Sequence, residues 1–138
     1  NDGVTELMQL LNAGGLKMSV AAPGTPVAKT LYEDSIIKGW VAFNAAGTIL
    51  DDVNVSSITD NGTGDWTVNW ATSFTSANYA CSVVVGSNSF ATNRVAAVNA
   101  IAGATLRVTS ATIDATASVV AADPSGVDSI FVMAVGNN

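Results

Sequence analysis

The feature that most constrains this chain is alternation: apolar and polar side chains take turns along short runs, and turn-forming residues break the pattern every 8–12 residues or so. Trp66-Thr67-Val68-Asn69-Trp70 shows it most cleanly. In an extended backbone its two tryptophans and Val68 share one side, and Thr67 and Asn69 share the other. Just before it, Asp60-Asn61-Gly62-Thr63-Gly64-Asp65 is a turn by composition, since Asn and Gly supply the positive φ that tight turns need. Residues 37–43, 47–50, 53–59, 79–85, 90–99, 105–109, 118–121 and 129–135 carry the same β-branched, aromatic or alternating character. Asn44-Ala45-Ala46 and Asp123-Pro124-Ser125-Gly126 are links between them. Short strands spaced this way, with no helical pattern among them, predict an antiparallel sandwich or small barrel and exclude a βαβ architecture.

The first segment reads differently. Val4, Leu7, Met8 and Leu11 fall on one stripe at the three–four spacing of an amphipathic helix over residues 2–12, with Asp2 as its cap and Asn12-Ala13-Gly14-Gly15 as its end. Three turns are too few to stand alone in water. The helix therefore has to dock, either on its own sheet or on the same helix in neighbouring chains, where Val4, Leu7 and Leu11 suit successive a and d positions of a coiled coil. Gly14-Gly15, Pro23-Gly24 and Pro26 mark loop and edge-strand chemistry, and residues 16–20 alternate as a short strand would. The expected division is residues 1–35 as helix and linker and 36–138 as the β domain. The chain begins at Asn1 rather than Met, and is expected to continue a longer polypeptide.

Composition now excludes several chemistries. With no histidine, imidazole acid–base catalysis, the Ser-His-Asp triad and imidazole metal ligation are excluded. The one cysteine, Cys81, can form no intrachain disulfide. It lies in the apolar run Tyr79–Val85, with no cationic neighbour in sequence to lower its pKa, and reads as a small buried hydrophobe. Five basic against eleven acidic side chains argue against phosphate-mediated nucleic-acid binding. No apolar run reaches the ~20 residues of a membrane span. Charged residues are 12% of the chain, about half of the ~25% usual for soluble domains. Interfaces between copies of one chain are poor in charge, so sparse charge suits a homo-oligomer; a small all-β protein with an uncharged polar exterior would read the same way.

The remaining candidates for chemistry are carboxylates and aromatics. Glu33-Asp34 and Asp51-Asp52 are adjacent pairs, which point to opposite faces in a strand, whereas glycosidase chemistry needs two carboxyls facing each other across a sugar ring. A productive pair would have to be assembled by the fold from Asp51, Asp52, Asp60, Asp65, Asp114, Asp123 and Asp128. The run at residues 60–65 lacks the spaced oxygens and closing Glu of a twelve-residue calcium loop. Gly62-Thr63-Gly64 precedes a strand pattern rather than a helix, so it is no dinucleotide loop. Trp40, Phe43, Trp66 and Trp70 could stack on sugars, but on an alternating strand they read first as core or interface. The expectation is a non-enzyme with no cofactor and no metal.

One longer stretch is more specific. Lys38-Gly39-Trp40-Val41-Ala42-Phe43-Asn44, then Gly47-Thr48, then Val53 through Trp70 with its Val55-Ser56-Ser57-Ile58-Thr59-Asp60-Asn61-Gly62-Thr63-Gly64-Asp65 centre, resembles the C-terminal domain of tailed-bacteriophage fibre proteins. Asn78-Tyr79-Ala80 and Phe131–Asn137 are similar to the same family. Asn44-Ala45-Ala46-Gly47 stands where that family has Asn-Gly-x-Gly, Trp66 and Trp70 stand for its Tyr and Phe, and residues 86–118 match least. The resemblance implies a virion structural protein: an all-β, antiparallel β-sandwich, jelly-roll-like, with a short N-terminal helix as the end of a stalk. It implies a homotrimer, with Val4, Leu7 and Leu11 at the trimer interface. It further implies other virion proteins as partners, location at a tail fibre or on the capsid surface, and loops that hold a host polysaccharide or protein receptor. The alternative within the family is a capsid decoration or head-fibre protein without receptor binding.

Overall fold

The structure is a computed structural model that describes residues 8–10, 16–18, 29–31, 36–86, 93–113, 116, 118–124 and 129–136. The chain divides into two units, Asn1–Ile36 and Ile37–Asn138.

In the first unit, β1 (Met8–Leu10), β2 (Leu16–Met18) and β3 (Lys29–Leu31) form an antiparallel sheet in that order. Met8 pairs Met18 and Leu10 pairs Leu16. Met8–Leu10 falls inside the stretch expected to be helical, so the helix expectation is corrected there. A helix of three turns leaves most of its terminal backbone groups unpaired and is marginal alone, whereas β2 supplies β1 with cross-strand partners. Val4, Leu7 and Leu11 lie outside the described residues.

The second unit holds β4 (Ile37–Phe43), β5 (Ile49–Val53), β6 (Val55–Gly62), β7 (Asp65–Trp70), β8 (Ala80–Val85), β9 (Asn93–Ile101), β10 (Thr105–Ile113), β11 (Val119–Ala121) and β12 (Ile130–Val135). They make two antiparallel sheets. One runs β5-β4-β12-β8. The other is built on β10, whose residues 106–113 pair β9 along one edge. On its opposite edge, residues 105–109 pair β7 and residues 111–113 pair β11, so those two strands follow each other in line, and β6 lies outside β7.

Alternation decides what is inside. Trp66, Val68 and Trp70 of β7, Leu106 and Val108 of β10, Val41 and Phe43 of β4, and Ile130, Val132 and Ala134 of β12 are buried in one shared core. Both sheets contribute, which makes the unit all-β and β-sandwich-like. Phe43 and Trp66 meet edge-to-face across it, ring centroids 5.9 Å apart. Among the described residues, β4–β5, β6–β7 and β9–β10 are same-sheet hairpins.

Three local devices set this topology. Asn44 Oδ1 accepts from Ala46 N (3.1 Å) and Thr48 N (2.9 Å), closing the β4–β5 hairpin. Asn54 sits at φ 61° between β5 and β6, where a single extended strand over residues 53–59 was expected. Asparagine tolerates that conformation, and it turns the chain from one sheet to the other. Its side chain is clamped to Thr72, Oδ1 accepting from the amide (2.7 Å) and Nδ2 donating to the carbonyl (3.0 Å). Gly64, at φ 68°, ends the β6–β7 turn where β7 and β11 meet on β10. Its carbonyl accepts from Ser110 N (2.8 Å) and its amide donates to Asp123 Oδ1 (2.6 Å). A Cβ there would run into the Ser110 carbonyl and come within 2.9 Å of Ala122 N, so only glycine fits.

Candidate functional site

Among the described residues, each acid named from sequence has its own hydrogen-bond partner. Asp51 is exposed on β5, and its Oδ1 accepts from Asp52 N (3.0 Å); Asp52 Oδ2 accepts from Val55 N (3.2 Å) at the sheet crossing. Asp60 Oδ1 accepts from Gly62 N (2.8 Å), and Asp123 holds Gly64 as described. Asp65 takes a two-pronged contact from Arg107, with Nε donating to Oδ1 at 2.8 Å and Nη2 donating to Oδ2. That guanidinium holds the Asp65 carboxyl below its ordinary pKa, against a smaller opposing effect of burial. Asp52, Asp60 and Asp123 hold turns or the sheet crossing, Asp65 holds a cross-strand pair, and Asp51 bonds to its neighbour's amide within β5. Asp114 and Asp128 lie outside the described residues. Among the described residues, no three acidic or thiol side chains gather as a metal site.

Beside Asp65 the outer face of the β6–β7 pair is a polar ladder. Asn69 Nδ2 donates to Ser57 Oγ (3.1 Å) and Thr59 Oγ1 (3.0 Å), and Asn61 Nδ2 donates to Thr67 Oγ1 (2.9 Å). These side chains satisfy one another across the strands.

The aromatics divide. Trp66 and Trp70 are buried, and their indole N–H groups donate inward: Trp66 Nε1 to Ala45 O (2.9 Å) and Trp70 Nε1 to Tyr79 Oη (3.2 Å). They are core residues, not a platform for sugars. Tyr79 stacks on Phe74 with centroids 4.0 Å apart, and its hydroxyl also lies 3.1 Å from Ala102 O and 3.2 Å from Thr105 O. Burial pushes the Tyr79 phenol above its ordinary pKa. Cys81 packs half-buried against the same core, and burial pushes its thiol up, away from the reactive thiolate.

Trp40 belongs to a surface that sequence reasoning missed. On the outer face of β5-β4-β12-β8, one row of cross-strand neighbours runs Val53, Trp40, Met133, Ser82. The next row runs Asp51, Ala42, Phe131, Val84. Val53, Val84, Phe131 and Met133 are 46%, 57%, 49% and 41% exposed, and Trp40 is half-buried. Several hundred Å² of carbon thus face outward, within the ~300–600 Å² of the largest patch on a typical monomer, which is often a functional one. At one end is an open hollow of ≈ 140 Å³, lined by Ala80, Cys81, Ser82, Met133 and Val135. The signal was present in the run Ile130-Phe131-Val132-Met133-Ala134-Val135, which is apolar at both parities and so marks a strand covered on both faces.

No family model, no curated protein and no solved structure matches the chain. Among the described residues, no helix is long and apolar enough to cross a membrane.

Proposed function

We propose that the chain is a structural module, not an enzyme, that assembles with copies of itself: a homotrimeric phage fibre domain whose exposed loops attach to a host surface. The observation that carries the self-assembly is the apolar outer face of β5-β4-β12-β8, which a lone, sparsely charged chain would leave in water. The carboxylates support a scaffold rather than a catalytic centre, since Asp52, Asp60 and Asp123 hold turns or the sheet crossing and Asp65 pairs with Arg107. The phage assignment rests on the resemblance of residues 38–70 and of the C-terminal run to fibre domains. Host attachment is tested by whole-cell binding of the labelled chain: saturable binding to a susceptible bacterial strain supports it, and binding no stronger than to unrelated strains removes it. Labelled microscopy of the particle then separates a tail fibre from the capsid decoration reading.

A further inference from the structure

We propose that the outer face of β5-β4-β12-β8 is the surface on which copies of this chain pack, with Phe131 of one copy entering the hollow beside Met133 of the next. The inference rests on the reading that the chain self-assembles and names the surface that does it.

Area is the first argument. A standard interface buries about 800 Å² on each partner, about 65% of it apolar where identical chains meet, so it needs an apolar centre of about 500 Å². The exposed carbon of Val53, Val84, Phe131 and Met133, with that of Trp40, is of this order. Shape is the second. Phe131 projects from β12 one row away from an open hollow of ≈ 140 Å³ on the same sheet face. Its volume is of the order of the ~150 Å³ enclosed apolar cavity that takes a benzene ring, with one side open to solvent. Knob and hole on one face let every copy offer both halves of the contact, as closed self-assembly requires. Charge is the third. In the two central rows the one ionisable group is Asp51, at the outer end of its row on edge strand β5. Such placement keeps the middle free of ions that would lose their water on packing. The outer face of the β6–β7 pair offers the contrast, because its polar side chains already bond to each other.

The test uses the full chain at micromolar concentration. Mass is measured by equilibrium sedimentation, and acrylamide quenching reports on Trp40, the one tryptophan of three that the unit does not bury by itself. The wild type is expected to be a multimer with all tryptophan emission protected. Phe131→Lys and Val84→Lys are expected to reduce the mass to that of one 13.9 kDa chain and to open Trp40 to the quencher, with the β-sheet circular dichroism kept. Val84→Lys serves if Phe131→Lys fails to fold. Val95→Lys, at an apolar residue 40% exposed on the other sheet, is expected to leave the multimer intact. A multimer that survives both face variants overturns the surface and leaves self-assembly standing. A monomeric wild type overturns both. A monomer whose Trp40 is nonetheless protected means that the chain covers the face with another of its own segments, which also overturns the proposal.

Discussion

Replacing Tyr79 with Phe removes one buried oxygen that has three hydrogen-bond partners. The hydroxyl accepts from Trp70 Nε1 at 3.2 Å and shares its single proton between the carbonyls of Ala102 (3.1 Å) and Thr105 (3.2 Å). Those carbonyls keep other donors, since Thr105 N donates to Ala102 O and Ala102 N to Thr105 O. The Phe74 stack and the apolar burial survive in the variant. What is lost is the acceptor for a buried indole N–H, and an orphaned buried donor costs about 1–3 kcal/mol. We therefore expect Tyr79→Phe to cost about 2 kcal/mol, or roughly 5–10 °C in Tm for a chain of this length, with an unchanged denaturant m-value. Urea unfolding followed by tryptophan emission, at one fixed protein concentration because assembly shifts apparent stability, measures it. In a Trp70→Phe background the orphaned donor is absent, so the same change should cost under about 1 kcal/mol. A loss below about 0.5 kcal/mol in the wild type, or equal losses in both backgrounds, would mean that the Trp70 indole N–H does not depend on the Tyr79 hydroxyl. A second readout follows from the phenol's raised pKa. The folded chain keeps the proton that the unfolded chain gives up above about pH 10, so this share of stability is full below that pH and fades as pH climbs through the folded-state value. Tyr79→Phe should flatten that alkaline decline.

Three further outcomes are expected. Gly64→Ala forces a side chain into a left-handed turn and against the Ser110 carbonyl, and should cost at least ~1–3 kcal/mol in chemical unfolding. Trp66→Ala empties the largest fully buried side chain from the core and should cost about 3–5 kcal/mol, against near-neutral change for Thr59→Ala on the exposed ladder. Asp65 has a lowered folded pKa, so its share of stability is present above the ordinary carboxylate pKa of about 4 and is lost as pH falls through the lower folded value; Asp65→Asn should make Tm less sensitive to acid over that range.

The core was legible because it depends on local alternation. Trp66, Val68 and Trp70 share a parity in the sequence and a core in the fold. The reversal within residues 60–65 was legible too, because Gly62 and Gly64 take positive φ there, although strand pairing runs on through Gly62 and resumes at Asp65, leaving a shorter turn than expected. Asn54 was not, since one residue at φ 61° inside an alternating run changes which sheet the rest joins, and alternation carries no record of partner. The Asp123–Gly64 contact links residues 59 apart, a separation that only the winding of the chain resolves. The expected helix failed at Met8–Leu10 because apolar residues at helical spacing also occur in a short strand, and cross-strand pairing decided between them. The outer apolar face was visible in residues 130–135, but only the registers of β4 and β8 show that Trp40 and Val84 join Met133 and Phe131 on it.

Native mass decides whether copies of this chain assemble. Equilibrium sedimentation of the full chain across the micromolar range should give three times 13.9 kDa. A single species at 13.9 kDa, unchanged by concentration, would mean that the chain does not self-assemble.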